Sequence, residues 1–329
     1  MARNKESSWM PPNVSKNKYS YYIKTKTNRS ITLCKVTASR ADVWAAYEKT
    51  LADEKDKLLF KDLWANFLKS SDFSDLAPRT QKDYLSTQKN IISVFGAIEP
   101  DKIKPEHIRH FMDIRGQKSK VQANHEHSNM SRVYRWGYER GLVKGNPCTG
   151  VRKYPKPKRD NYMTDKEYDA IRSHANTAIH IAMEIAYLCA ARVSDVLSLK
   201  WEQVSEVGIF IQQGKTGVKQ IKAWTPRLKK AVDLAKTLFP TKTVFVVCNQ
   251  YGNKYSYNGF SDKYREARLK ASLELGRHIE GTFHDIKAKG ISDYEGSSRD
   301  KQLFSGHKTE SQVLVYDRKT KVTPTLDIE

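Results

Sequence analysis

The sequence predicts a multidomain, mainly α protein. It divides into a small β-containing N-terminal module, a helical domain, and a mostly helical α+β domain with a small antiparallel sheet. Three observations point there. At 329 residues the chain is too long for one small core, and its length suggests two domains with a third small module. Helical periodicity and helix-start signals dominate from residue 58 onward. β-prone runs are confined to two short stretches, 19–36 and 208–226.

Taken in order, residues 1–14 are polar and proline-punctuated and read as a mobile lead-in. YSYYIKTKTNRSITLCKV (19–36) reads as a small sheet around a turn at Thr27, Asn28 and Arg29. Its mixture of Tyr21, Tyr22, Lys24, Lys26 and Arg29 suits a structural hairpin and a DNA-contacting one equally. Thr37 to Arg40 then carries helix-start signals for a helix to about Asp56. From Leu58, apolar residues at Leu59, Leu63, Phe67 and Leu68 follow a helical period. Pro78-Arg79-Thr80 precedes a second helix closing at Gly96, Pro105 fits the first turn of a third, and a fourth runs over about 119–140. On that last helix Arg132, Arg135 and Arg140 line up with Tyr134, Trp136 and Tyr138. Residues 58–145 therefore read as a bundle of about four helices, whose exposed cations are either a solvated face or a DNA-binding one.

GNPCTGVRKYPKPKRD (145–160) reads as a linker with five cations, a tether that could also strap a phosphate backbone. Beyond it, Thr164 with Glu167 three residues later has the pattern of reciprocal helix capping. TAIHIAMEIAYLCAA (177–191) is apolar on nearly all sides and predicts a buried helix. Short strands around a Gly214-Lys215-Thr216-Gly217 turn follow, then RLKKAVDLAKTLF, VFVVC, and a helix over SDKYREARLKASLELG. The expected division is 1–57, 58–145, a basic linker 146–160, and 161–329 with a C-terminal tail.

Charge narrows the class of partner. Lys plus Arg number 58 against 37 Asp plus Glu, a formal net charge of +21. Such a surplus favours a polyanion, because each neutralised phosphate releases condensed counterions. The chain shows no apolar run long enough to span a membrane and no basic amphipathic helix of the membrane-surface type. MARNKESSWMPP lacks a following apolar region, which argues against a secretory signal. Cys34, Cys148, Cys189 and Cys248 lie far apart with no CxxC pair. That argues against zinc and against a disulfide framework, and for reduced thiols in a cytoplasm.

The chemistry-bearing residues lie in the last domain. Singly, each has a plain structural reading: Arg192 as an ion-pair partner, Lys215 as a solvated turn lysine, His284 and His307 as satisfied core histidines, Tyr316 as a packed aromatic. Their order carries more. Arg192 in ARVSDVLSLKW, Lys215 in QGKTG, His284 and Lys287 in FHDIKAKG, and His307 and Tyr316 in FSGHKTESQVLVYDRK make an ordered set. That set resembles the tyrosine recombinase (phage integrase) family. The resemblance covers all of 161–329, and the helical unit at 58–145 has the look of that family's core-binding domain.

The resemblance implies a reaction: Tyr316 attacks a scissile DNA phosphate, leaving a 3′-phosphotyrosine bond and a free 5′-hydroxyl, with neither ATP nor metal and no cofactor. A phenol of pKa about 10 and an already anionic diester both require clustered cations. Arg192 would grip non-bridging oxygens through its planar fork, with Asp195 buttressing it. Lys215 would protonate the leaving 5′-oxygen, His284 would serve Tyr316 or the phosphate, and His307 would hydrogen-bond a non-bridging oxygen. One position departs from the family's His-x-x-Arg: Lys287 keeps the charge and loses the fork. Either Lys287 serves as it stands, or Lys289 or Arg299 fills in, or the protein is slow or inactive. The implied function is site-specific recombination integrating a phage or other mobile element, in the cytoplasm of a bacterial host. Its implied partners are attachment-type duplex sites, a homotetramer on DNA, and a DNA-bending host factor or excisionase. The N-terminal module resembles arm-type DNA-binding domains. The alternatives are an architectural DNA-binding protein of the same fold and a type IB topoisomerase-like enzyme.

Overall fold

In the computed structural model, which describes residues 9–24, 30–55, 57–157, 159–238, 243–320, 322–323 and 325–326, the N-terminal β-prone run forms a three-stranded antiparallel sheet. Its strands are β1 (Val14–Lys16), β2 (Ser20–Lys24) and β3 (Ser30–Lys35), in the order β1-β2-β3. Val14 pairs with Ile23 and Tyr21 with Cys34, and the register shifts between Tyr21 and Tyr22. Tyr21 turns inward onto Val43 of α1 (Arg40–Lys55), in a cluster that also takes in Trp9, Met10 and Tyr47. Trp9 and Met10 are thus packed, not a loose lead-in, and the Trp44 indole N–H donates to the Trp9 carbonyl at 2.9 Å. Ser39 and Asp42 cap α1 reciprocally, as the sequence signals suggested. The proposed turn at Thr27–Arg29, Lys26, Asp56 and residues 1–8 lie outside the described residues.

A helical bundle completes this first unit, which runs to Lys156. It comprises α2 (Phe60–Leu68), α3 (Ser71–Ser74), α4 (Pro78–Phe95), α5 (Pro105–Lys118) and α6 (Lys120–Tyr138). Phe60, Leu63, Trp64 and Phe67 recur at one face of α2 and are fully buried. Pro78 and Pro105 each open a helix, where a missing N–H is harmless. On α6, Tyr134 belongs to the core rather than lining up with the arginines, Trp136 is buried yet carries Arg140 on its ring at 4.7 Å, and Tyr138 is exposed. Tyr134 packs on Phe60 and donates its hydroxyl to the Pro100 carbonyl. Arg132, Arg135, Lys153 and Ser128 border a cavity of about 450 Å³ beside Trp136. The basic stretch 146–160 spans the division between units. Its first part folds back on the bundle: Cys148 is buried, Asn124 brackets the Tyr154 backbone with two 2.9 Å hydrogen bonds, and Arg109 holds the Tyr154 hydroxyl.

The second unit begins at Pro157. Its helices are α7 (Asp165–His174), α8 (Thr177–Leu188), α9 (Val193–Leu197), α10 (Pro226–Leu238), α11 (Tyr257–Glu274), α12 (Phe283–Asp293), α13 (Ser298–Ser305) and α14 (Glu310–Leu314). Strands β4 (Gly208–Gln212) and β5 (Lys219–Ala223) form one antiparallel hairpin. VFVVC forms no strand, although Val246, Val247 and Cys248 are buried. The all-round apolar α8 is the centre of the core, with α10 and α12 packed on it. Gly290 lets α12 approach closely, since a Cβ there would lie 2.2 Å from the Tyr187 carbonyl oxygen. The charge α8 does bury, Glu184, accepts from Arg227 and from the Tyr168 hydroxyl. Thr164 and Glu167 cap α7 reciprocally. Among the described residues no helix is long and apolar enough to cross a membrane.

Candidate active site

The site is assembled at the C-terminal end of α8. There the chain reverses through Ala190, whose φ is +47°, and sends Arg192 into the N-cap of α9. Arg192 is half-buried, and its Nη1 donates to Gln213 Oε1 at 2.5 Å. Asp195 does not buttress it. From the first turn of α9 the Asp195 Oδ1 accepts instead from the Gly214 amide at 3.0 Å, so this carboxylate braces the β4–β5 turn. Its Oδ2 is buried and has no hydrogen-bond partner among the described residues.

That turn carries Lys215. Gly217, at φ +71°, closes it by donating to the Gln213 carbonyl at 2.8 Å. Lys215 itself is exposed, and among the described residues it makes no hydrogen bond or ion pair. It is the one candidate side chain that the fold leaves outside the cluster.

Helix α12 supplies two candidates one turn apart. Thr282 and Asp285 cap its start, which fixes the direction in which His284 and Lys287 project. Lys287 is 1% exposed, and its ammonium donates to the Ala190 carbonyl at 2.6 Å and the Ser305 carbonyl at 3.5 Å. Burial, followed by the charges of Arg192 and Lys222, pushes its pKa down to about 7. The neighbouring cations do not fill in. Lys289 points the other way, into ion pairs with Asp165 and Asp293, and Arg299 donates to Gln302. The cation in the cluster at this point is therefore Lys287.

Gly306 terminates α13 in the left-handed region at φ +66° and delivers His307 to the site. His307 is buried, its Nδ1 lies 2.7 Å from Ser305 Oγ, and its buried Nε2 meets no hydrogen-bond partner among the described residues. The Ser305 hydroxyl also reaches the Gln302 carbonyl at 3.4 Å, so the direction of the Ser305–His307 hydrogen bond follows the ring tautomer. If Ser305 donates, Nε2 carries the ring proton and is free to donate; if Nδ1 donates, Nε2 is an acceptor. Burial, then Lys287 and Arg192, pushes the His307 pKa down to about 4, which keeps the ring neutral near pH 7. The sign for stability follows: the unfolded chain binds a proton at this position between about 6.5 and about 4 and the native chain does not. The melting temperature should therefore fall as pH drops through that window. A His307→Gln variant measured over the same range should lose less.

Tyr316 follows α14 and completes the cluster. Its hydroxyl is 3.2 Å from His284 Nε2, its ring lies 4.8 Å from the His307 ring, and Lys287 Nζ is 5.9 Å from its centroid. Burial lowers the His284 pKa, with Lys287 adding to the effect. Two ion pairs pin the chain beside Tyr316: Lys301–Asp317 at 3.0 Å and Arg318–Asp285 at 2.7 Å. Ser292 joins them, donating to the Tyr316 carbonyl and accepting from the Arg318 amide. Burial raises the Asp285 pKa, but hydrogen bonds from Thr282 and Arg318 outweigh it and hold the carboxyl below its usual range. Removing one member leaves the other buried and unpaired, so Arg318→Leu should destabilise the unit by about 3–5 kcal/mol. Calorimetry should show the loss, and hydrogen exchange should show it concentrated near residues 313–320.

Arg192, His284, Lys287, His307 and Tyr316 thus meet around one spot, where burial first and neighbouring positive charge second lower the pKa values of His284, Lys287 and His307. A cavity of about 1040 Å³ bordered by α8 and α10 lies elsewhere, and none of these residues lines it. Among the described residues no three His, Cys, Asp or Glu side chains converge as metal ligands would. Sequence reasoning missed Gln213, Ser292, Lys301 and Ser305. Their signals are ordinary polar residues in ordinary places, and only tertiary proximity distinguishes them.

Comparison with known proteins places this arrangement. Residues 161–322 match the model of the phage integrase family. The integrase of Enterobacteria phage 434 is 27% identical over 204 residues, covering 57% of this chain and 56% of that protein. The chain thus spans just over half the length of this curated relative. Among solved structures, a lambda integrase(75–356) dimer bound to a COC′ core site superposes with a TM-score of 0.72 at 20% identity, over 83% of this chain and 100% of that one. A lambda integrase tetramer bound to a Holliday junction gives 0.70 at 19% identity, over 96% and 98%. These likenesses show that the fold is shared.

Proposed function

We propose, from the match of residues 161–322 to the model of the phage integrase family, that the protein is a tyrosine-type site-specific recombinase acting through a covalent 3′-phosphotyrosine intermediate. The observation that carries the reading is the Tyr316 hydroxyl, held 3.2 Å from His284 beside Lys287 and the His307 ring. The Tyr316 oxygen attacks phosphorus and its proton passes to His284 or to solvent. The bond from phosphorus to the 5′-oxygen breaks, and Lys215, swinging on its exposed turn, protonates that leaving oxygen. One phosphodiester is exchanged for another, so the energy of the broken bond is kept for rejoining. Arg192, Lys287 and His307 Nε2–H stabilise the extra negative charge of the pentavalent transition state.

The net charge of +21 and the cation-bordered face of α6 support duplex DNA as the substrate. We assign residues 1–57 to distal-site binding, 58–145 to core-site binding and 161–329 to catalysis, with tetramer assembly on paired attachment-type sites and integration of a phage or mobile element in a bacterial cytoplasm. The test uses the full chain and a pool of nicked duplexes with randomised flanks, from which covalently captured DNA is sequenced. Recovery of one recurring site supports the reading. No adduct from any sequence would reduce the protein to an architectural binder, and relaxation of arbitrary plasmids without strand exchange would make it topoisomerase-like.

A further inference from the structure

We propose that Gln213 is a positioning residue for this site: its side-chain amide holds Arg192 in place and ties the Lys215 turn to the His307 loop. The role rests on the recombinase reading above and adds a residue that never touches the phosphate.

Gln213 is 4% exposed, and its amide is engaged on both sides. Oε1 accepts from Arg192 Nη1 at 2.5 Å and from the Thr216 hydroxyl at 2.9 Å, while Nε2 donates to the Ser305 carbonyl at 2.8 Å. The orientation is dictated by the partners, since a reversed amide would set NH₂ against the guanidinium and oxygen against a carbonyl oxygen. Ser305 passes the contact on: its hydroxyl meets His307 Nδ1, and its carbonyl also accepts from Lys287. The main chain of Gln213 builds the turn itself, donating to the Val218 carbonyl and accepting from Gly217. One residue therefore touches the Arg192 segment, the Lys215 turn and the loop that carries His307.

Two further features show that this junction is tight. A Cβ on Gly306 would lie 2.4 Å from Gln213 Nε2, so only the bare glycine lets the loop close on the amide. Gln220 and Lys222, from β5, donate to the carbonyls of Leu303 and Phe304. With Gln213 on Ser305, three successive carbonyls at the end of α13, which the helix itself leaves unpaired, are capped by the hairpin. The hairpin and the end of α13 are thereby one piece, and Arg192 is fastened to it through the Gln213 amide.

The experiment measures single-turnover adduct formation by the full-length chain on a nicked duplex captured from the randomised pool. Gln213→Met, similar in length and without polar atoms, should slow cleavage roughly 10- to 100-fold by loosening Arg192, with DNA affinity within about twofold. The same duplex is then made with a methylphosphonate at the scissile position, which removes one non-bridging oxygen and its charge. On that substrate the guanidinium matters less, and the variant should come within about threefold of wild type. Equal losses on both substrates would mark Gln213 as a packing residue only, and no loss on the diester would remove the role altogether. Either result, with an active wild type, overturns this inference and leaves the recombinase reading standing. Absence of any wild-type adduct overturns both. If Gln213→Met does not fold, Gln213→Asn, whose amide stops one methylene short of Arg192, carries the same expectations.

Discussion

A Tyr316→Phe variant should form no covalent adduct with DNA while binding it with unchanged affinity. The phenol oxygen is the only atom removed, and it makes one hydrogen bond, to His284 at 3.2 Å. The ring stays against His307, and the Lys301–Asp317 and Arg318–Asp285 pairs that fix the backbone are untouched. Stability should therefore change by no more than about 1 kcal/mol, the worth of a typical hydrogen bond. Adduct formation should fall by at least about 10⁴-fold, because the atom removed is the attacking oxygen itself. A denaturing gel of protein incubated with a nicked duplex reads the loss, and gel shift reads the retained binding. An adduct that persists in Tyr316→Phe would move the nucleophile elsewhere and undo the site.

The second large effect is expected at Lys287, where function and stability should move in opposite directions. Lys287→Met removes a cation from the transition-state cluster and should slow cleavage by about 10²- to 10³-fold. It should also raise the melting temperature near neutral pH. The wild-type ammonium is 1% exposed and crowded by Arg192 and Lys222, and its pKa near 7 means that native structure resists carrying the charge. Between about 7 and 10.5 the unfolded chain binds this proton and the native chain does not, so wild-type stability should rise with pH across that window. Lys287→Met should lack that rise. Activity has the opposite slope. The cation is the useful form, so the second-order rate of adduct formation, which reports free protein, should decline as pH rises above about 7. Lys287→Arg should push that decline to higher pH, because a guanidinium does not lose its proton. Its absolute rate near pH 7 should be lower than wild type, since a longer head must fit between the Ala190 and Ser305 carbonyls, at 2.6 and 3.5 Å from the ammonium. A faster Lys287→Arg would mean that the site is built for an arginine it lacks.

Much of the fold was legible because local chemistry and tertiary structure agree along most of the chain. Thr164 with Glu167, Pro105, the apolar run of α8 and the Gly214–Gly217 turn each signal an element that forms where expected. The misreadings arose where packing outranks local pattern. Trp9 and Met10 sit in a proline-punctuated stretch that looks unstructured, yet a small sheet needs them to cover Val43. Tyr134 looked like a companion of exposed arginines, but helical geometry turns it into the core of the bundle.

The site divides along the same line. The sequence by itself determined the inventory and its order: Arg192, Lys215, His284, Lys287, His307 and Tyr316 stand in motifs whose short-range spacing survives in one dimension. It also exposed Lys287 as the departure. Only the tertiary structure decided what each of them meets. Asp195, three residues from Arg192, braces Gly214, whereas Gln213, 21 residues away in sequence, holds the arginine. Lys289, two residues from Lys287, faces Asp165 and Asp293 on the far side of the same helix. The physical reason is that hydrogen bonds and charge–charge energies fall off with distance in space, and the chain reversals at Ala190 and Gly306 set those distances.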